Sequence, residues 1–467
     1  MQESIRRVVA RILATLGSLL LISQPLYAQA THTSQDWAQS PGAFDTGDSL
    51  RDFQARLRSA LFLLKDRPEQ NQPLQLSARV TAESRTGVRR LRLRGFQILS
   101  DGGRESAEFE LGAGSWPSMV GALGSAVAGD FLTQAAIKGI PIDELEVVLT
   151  SRPGAARSQS TGARVVYPQN LAYTAFIVSP ASDEELKELR RTVEQVSPVL
   201  RLVSQPQNID HGRLFHTQTP SQHEGKTLAG MREFLKDKYA ASQGATPPEG
   251  RGADAARPRN DGRPPLRAHI KVEGGTGIRH IRTDVKNFQV IHDYPRYLAG
   301  HNLGPVPEEH VLGIMITCLT HIYEIEAAKK QVVLDTLELE VEGTLTTHLG
   351  NTANPPTYTD IRYTVRIGSP ESPETIKELQ RAVEAVCPIY NMLKNSQPIN
   401  GRIIRGPYTE EKERAYEGVG RRGRAHGEAR PAPGGGQQRP SVEPGPADSE
   451  PAQPGSHRVD EPDPPGP

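Results

Sequence analysis

The sequence predicts an α+β protein made of two copies of one pattern, each an antiparallel sheet with a long buried central helix. Three observations predict this fold class. Motifs recur in the same order at an offset of 190 to 192 residues. Each copy contains an apolar stretch of helical length between segments in which apolar and polar residues alternate. Each copy also contains a second, amphipathic helix that begins with a capping residue.

The repeat is visible in four pairs of matched motifs. An offset of this length indicates duplicated domains, because solenoid units recur every ~20–50 residues. The sequence therefore predicts tandem domains at residues 75–212 and 266–405. The matched motifs are Thr86–Arg92 with Thr276–Arg282, Phe96–Leu99 with Phe288–Ile291, Ile142–Glu146 with Leu334–Glu338, and Val196–Pro198 with Val386–Pro388.

The second copy shows the predicted elements most clearly. Its central helix, from about Glu308 to Lys330, has apolar residues around most of its circumference and should therefore be buried. Ser372 is the predicted N-cap of the next helix, with Pro373 in the first turn, and Pro388 should end it. Predicted strands are Leu266–Val272, Gly277–Val285, Phe288–His292, Leu334–Glu342 and Tyr358–Ile367.

The first copy follows the same plan. Its central helix, from about Pro117 to Gly139, contains glycines that permit close backbone approach to a neighbour. Ser182 and Glu185 form a capping box for its second helix. A further helix is predicted before each copy, at Leu50–Lys65 and Thr227–Tyr239.

The segments outside the two copies differ in composition. Residues 1–30 combine a positive start, an apolar run and a small-residue cleavage motif, which indicates an export signal. The run is shorter than the ~20 residues of a membrane span, so we expect a periplasmic or secreted protein without a stable membrane anchor. Residues 31–74 should add a helix, residues 213–265 a helix and a disordered linker, and residues 406–467 a disordered Pro- and Gly-rich tail.

The charge balance excludes one class of partner. Lys plus Arg and Asp plus Glu each number 55, so the chain has no net charge to attract nucleic acid. Zinc-type cysteine spacing, a phosphate loop and a nucleophile elbow are all missing from the sequence. The sequence therefore predicts neither a cofactor, nor a metal, nor a nucleic-acid partner.

The two cysteines of the chain, Cys318 and Cys387, both lie in the second copy, and Ala126 and Ser197 stand at the matching positions of the first. Cys318 lies inside the predicted central helix, and Cys387 should cap a short helix that begins at Pro388. This asymmetry indicates that any thiol chemistry belongs to one copy.

A reactive thiol needs a lowered pKa, which positive charge or a helix N-terminus provides. Cys387 has a predicted helix N-terminus, whereas Cys318 needs a cation that folding brings to it. Arg279 and Arg282 are the candidates for that cation. Glu308, at the start of the central helix, could orient such an arginine.

Structural roles compete with this interpretation. Two cysteines in an exported protein are more often a structural disulfide than a catalytic pair. A bridge closing a ~70-residue loop stabilises a protein by about 4 kcal/mol in the chain-entropy model. A histidine one turn after a helix cysteine, as His321 is, more often makes structural hydrogen bonds in a core than acts as a base. Ser197 needs no role beyond capping a helix.

The second copy resembles the OsmC/Ohr family of osmotically inducible and organic hydroperoxide resistance proteins. The resemblance covers residues 266–405, and residues 75–212 more weakly. It is carried by Gly304–Glu309, Thr317–Cys318, Leu337–Gly343 and Val386–Leu393. It implies a thiol-dependent peroxidase that reduces organic hydroperoxides, within an intertwined dimer with active sites at the interface.

The resemblance also assigns roles to residues. It implies that Cys318 is the peroxidatic cysteine, that Cys387 is the resolving one, and that an external dithiol reduces their disulfide. Glu308 matches the acidic residue that holds the catalytic arginine. That arginine is Arg279 or Arg282, or else Arg89 or Arg92 from the first copy across the interface.

The first copy departs from the family pattern, with Trp116 at the position of the acid and no cysteine at either thiol position. This departure implies a catalytically inactive copy and one chain that folds as a pseudo-dimer with one active site. The resemblance leaves open whether such chains assemble into a further homo-oligomer. The inactive first copy and the export signal favour an alternative function. It is a non-catalytic envelope protein that binds a partner or an apolar ligand, or has a structural role, and in which Cys318 and Cys387 form a structural disulfide.

Overall fold

The computed structural model describes residues 49–415, apart from 67–71, 84–86, 103–108, 110, 159–161, 163, 221, 224–225, 245–264, 284–288 and 348–350. The export signal and most of the predicted linker and tail lie outside the described residues. Their assignments therefore stay predictions.

Helix α1 (Leu50–Asp66) precedes the first half, as predicted. The first half then contains three strands, a long helix, two strands, two helices and one strand. These are β1 (Leu74–Ala82), β2 (Arg89–Leu93), β3 (Phe96–Ser100), α2 (Ser115–Lys138), β4 (Glu144–Arg157), β5 (Arg164–Val178), α3 (Asp183–Val196), α4 (Pro198–Ser204) and β6 (Arg213–Gln218).

The second half repeats this order after a connection that contains β7 (Gln222–His223), β8 (Lys226–Thr227) and α5 (Leu228–Gly244). Its elements are β9 (Leu266–Val272), β10 (Arg279–Thr283), β11 (Gln289–His292), α6 (Pro307–Lys330), β12 (Thr336–Leu345), β13 (Tyr358–Ser369), α7 (Pro373–Val386), α8 (Pro388–Lys394) and β14 (Ile399–Arg405). A 3₁₀ turn at Arg296–Leu298 precedes α6. The predicted α+β class is confirmed.

The two sheets each combine strands from both halves of the chain. One has the order β3-β2-β1-β12-β13-β6 and the other β11-β10-β9-β4-β5-β14. They are joined by the antiparallel pairs β1–β12, with Leu74 opposite Leu345, and β4–β9, with Ser151 opposite Leu266. The described residues up to Tyr408 therefore form one intertwined unit, not two domains that each complete their own sheet.

The strand faces follow from the sequence pattern. In β12, Leu337, Leu339 and Val341 are buried, while Glu338 and Glu340 alternate with them on the other face. A period of two places one apolar row on the core side of the sheet. The edge strands β6 and β14, which the sequence did not predict, pair in parallel with β13 and β5.

Helices α2 and α6 pack against each other in the centre of the unit. Both are long and apolar enough to cross a membrane by composition, but 83% of the apolar window of each is buried inside the protein. A Cβ on Gly124 would lie 2.3 Å from Cδ1 of Ile270 in β9, so glycine permits this close helix–sheet contact. The predicted burial of both helices is confirmed.

The predicted helix starts are also confirmed. Ser182 Oγ accepts a hydrogen bond from the Glu185 N–H, and the Glu185 carboxylate accepts one from the Ser182 N–H. Ser372 Oγ accepts from the Thr375 N–H at 3.2 Å. Side-chain caps of this kind contribute about 1 kcal/mol each.

Candidate active site

The two thiols of the second half meet in the core. Cys318 lies in the middle of α6 with 4% of its surface exposed, and Cys387 lies between α7 and α8 with 0% exposed. Both are free thiols, and their side chains interact with each other.

Local sequence fixes the position of Cys387. Pro388 disfavours helical backbone at the residue before it and cannot donate a backbone hydrogen bond, so α7 ends there. The Cys387 N–H still donates to Val383 O at 2.9 Å, and its carbonyl accepts from Nδ2 of Asn391 at 2.9 Å. As predicted, Cys387 is the N-cap of α8.

The pKa values of the two thiols move in opposite directions. Burial alone would raise the pKa of Cys318, but the hydrogen bond from Cys387, the Ile389 N–H, the Arg89 charge and the Ser115 hydroxyl together hold it below its ordinary value. Burial, followed by the interaction with Cys318, raises the pKa of Cys387 well above its ordinary value. The Arg89 charge and these hydrogen bonds therefore favour the thiolate on Cys318 rather than on Cys387.

The positive charge at this site comes from the first half. Arg89 in β2 is 1% exposed, and its Nη1 donates to Nδ1 of His321 at 2.9 Å. The same nitrogen lies 3.7 Å from Oε2 of Glu324 and donates to the Gly87 carbonyl. Since a guanidinium can only donate, His321 presents the lone pair of Nδ1 to it.

Helix α2 supplies a further polar group. Ser115, in its first turn, is 9% exposed and hydrogen-bonded to Cys318. Trp116 follows it, and its Nε1 donates to Ser151 Oγ at 3.4 Å. The start of the first-half helix thus lies beside the second-half thiol.

Arg279 and Glu308 lie elsewhere. Both line a separate cavity beside Ala126 of α2, and neither cysteine lines it. Arg282 is exposed on β10, opposite His269 and Gln289. The structure therefore does not place Arg279 or Arg282 at Cys318, and it brings Glu308 together with Arg279 away from the thiols. Of the four candidate arginines, Arg89 is the one whose charge acts on Cys318.

Two residues of the site were missed in the sequence. Ser115 gave no signal, because nothing in its motif links the start of one helix to a thiol in the other half. Glu324 did give one: it is an acidic residue on a helix that is apolar on most sides, and a buried acid needs a partner. Among the described residues, no group of three or more His, Cys, Asp or Glu side chains could hold a metal ion.

One comparison with known proteins concerns the second half. Residues 300–401 match the family model described as OsmC-like protein, so this part of the chain is similar to OsmC-like proteins. The sequence-based resemblance is confirmed over that range. The comparison with curated proteins gave no match.

Two solved structures are similar to part of the chain. One is an OsmC-like protein from Mycoplasma pneumoniae, with 23% identity and a TM-score of 0.23, covering 28% of this chain and 90% of that one. The other, from Psychrobacter arcticus 273-4, is described as an osmotic-stress-induced and detoxification-response protein. It has 15% identity and a TM-score of 0.24, covering 30% of this chain and 94% of that one.

Proposed function

We propose that this OsmC-like chain is an exported, thiol-dependent peroxidase that reduces organic hydroperoxides through Cys318 and Cys387. The observation that carries the proposal is the placement of two buried free thiols beside each other, with the Arg89 charge and the Ser115 hydroxyl acting on Cys318. A peroxidase needs such a pair, because one sulfur attacks the peroxide as a thiolate and the other then forms a disulfide with it. The OsmC-like match at residues 300–401 supports a role in stress response.

The reaction begins with attack of the Cys318 thiolate on the terminal oxygen of the hydroperoxide. The O–O bond breaks, the alkoxide leaves and takes up a proton to become an alcohol, and Cys318 becomes a sulfenic acid. The Cys387 sulfur then attacks the Cys318 sulfur, forming the disulfide and releasing water. An external dithiol reduces the disulfide and is itself oxidised to a disulfide.

Arg89 is the arginine that serves this site in the proposal. Its charge favours the Cys318 thiolate and would stabilise the negative charge that develops on the leaving oxygen. Glu324 and His321 hold the guanidinium from α6. Ser115 donates a hydrogen bond that further favours the thiolate.

The experiment follows consumption of cumene hydroperoxide by the full reduced chain in the presence of dithiothreitol. Cys318→Ser should abolish turnover. Arg89→Met should slow it by roughly 10- to 100-fold, as expected for loss of one electrostatic donor. Arg92→Met is the matched control: Arg92 lies on the same strand but bonds Thr81 at 3.0 Å, so its loss should leave the rate within about twofold.

Hydroperoxide turnover by Cys318→Ser would contradict the proposal. Equal losses of rate in Arg89→Met and Arg92→Met would show that Arg89 has no special role at the site. Export is tested separately. The mass of the mature protein recovered from a periplasmic fraction should show loss of about residues 1–30. A full-length cytoplasmic protein would contradict that part.

A further inference from the structure

Both halves of the chain line a cavity beside Ala126, the first-half position that matches Cys318. The cavity has a volume of about 100 Å³ and lies between α1, α2, β10 and the start of α6. Its charged lining consists of Asp130, Arg279 and Glu308, and Leu61, Leu74 and Leu345 are among its apolar lining. A water needs ~10–15 Å³ of such volume, so the cavity has room for a small organic molecule.

Arg279 forms no ion pair among the described residues, although its charge acts on Asp130 and Glu308 in the same cavity. It is 2% exposed, and its Nε and Nη2 have no hydrogen-bond partner among the described residues. Its guanidinium carbon lies 4.3 Å from the centre of the Tyr294 ring. A Cβ on Gly129 would lie 2.2 Å from Nη1, so glycine leaves the room that the guanidinium occupies.

The two carboxyl groups of the cavity do not fully compensate this charge. Burial raises the pKa of Asp130 to about 8, and the nearby Glu308 adds to the effect. Burial likewise raises the pKa of Glu308. Asp130 is therefore mainly protonated at neutral pH, and its buried Oδ2 has no partner among the described residues. The buried Nε and Nη2 donors of Arg279 also have no partner among those residues, and an unsatisfied buried donor is costly, so the site favours a ligand with acceptor oxygens.

We propose that this cavity binds the carboxylate of a small aliphatic monocarboxylic acid. Nε and Nη2 form the edge of a guanidinium that binds both oxygens of a carboxylate through parallel hydrogen bonds. The Asp130 carboxyl can donate a third hydrogen bond, and the leucines contact the hydrocarbon part. Ala126 stands where a thiol would, so the site binds its ligand without reacting with it.

The test is isothermal titration calorimetry of the reduced full chain with acetate, butyrate and hexanoate, and with butyramide as the neutral analogue. Butyrate should bind at one site per chain, and butyramide at least tenfold more weakly. Arg279→Met should weaken butyrate binding by about 10- to 100-fold, the range for lost charge-assisted hydrogen bonds. Arg282→Met is the matched control on the same strand, and it should bind as the wild type does.

Two further variants keep the proposal testable if Arg279→Met does not fold. Ala126→Leu fills the cavity and should abolish binding, while Glu308→Gln removes a competing negative charge and should tighten binding roughly threefold. Equal binding of butyrate and butyramide, binding unchanged in Ala126→Leu, or weaker binding in Glu308→Gln would each overturn the proposal. These binding measurements involve no turnover, so their outcome is independent of the peroxidase assay.

Discussion

Replacing Asp130 by Asn should make the stability of the protein less dependent on pH. The ordinary pKa of this carboxyl is 3.8, and burial raises it to about 8 in the folded chain. Between these values the folded protein holds a proton that the unfolded chain has lost. The free energy of unfolding therefore falls as pH rises, and becomes level again above about pH 8. Asn has the shape of the protonated acid and cannot ionise, so the variant should lack this loss.

The size of the effect follows from the same interval. Between pH 3.8 and about 8, each pH unit lowers the free energy of unfolding by about 1.4 kcal/mol. Over the whole interval the loss is about 6 kcal/mol. The stability advantage of Asp130→Asn over the wild type should be near zero at pH 4, about 4 kcal/mol at pH 7, and level above pH 8.

Urea unfolding at pH 5, 6, 7, 8 and 9, followed by far-ultraviolet circular dichroism, measures this advantage directly. Asp237→Asn is the matched control, because it removes the same group from an exposed position on α5 and should follow the wild-type curve. Parallel curves for Asp130→Asn and the wild type from pH 5 to 8 would refute the reasoning.

Three further predictions concern the thiols and the central helices. Cys387→Ser should give one rapid equivalent of alcohol per chain and then stop, with sulfenic acid trapped on Cys318 by dimedone; continued turnover would show that another thiol resolves it. Oxidation of Cys318 and Cys387 to a disulfide should change the free energy of unfolding little if the disulfide is catalytic. An increase near the ~4 kcal/mol expected for a ~70-residue closed loop would favour the structural-disulfide function. Gly124→Ala should destabilise the protein by about 1–3 kcal/mol, because the new Cβ meets Ile270 at 2.3 Å; unchanged stability by chemical denaturation would contradict that close contact.

The sequence predicts the helices and most strands well, but it does not predict which strands pair with each other. The central helix α6 is recognisable because its apolar residues surround it, and Cys387 is recognisable as a cap because Pro388 follows it. Alternation along β12 shows which face is buried, but says nothing about whether its neighbour is β9 of its own half or β1 of the other. No pattern of residues therefore indicated that strands of the two halves pair with each other in both sheets.

The same limit explains why the sequence left several candidate arginines open. Arg89 and Arg279 occupy matching positions in two copies of one motif, so spacing along the chain cannot distinguish them. Pairing of β1 with β12 puts β2 on the sheet that covers α6, and Arg89 thereby reaches His321. The first-half arginine thus serves the second-half thiol, and Arg279 lies across from Ala126.

The exchanged strands also affect how the chain can be made. Leu74 of β1 pairs with Leu345 of β12, which is 271 residues later. At ~5–20 residues per second of ribosomal synthesis, β1 waits roughly 14 to 54 seconds before its partner exists. During that time its unpaired edge could join another nascent chain. A polypeptide with this topology gains from being kept unfolded until synthesis is complete, a condition that transport in an unfolded state would meet.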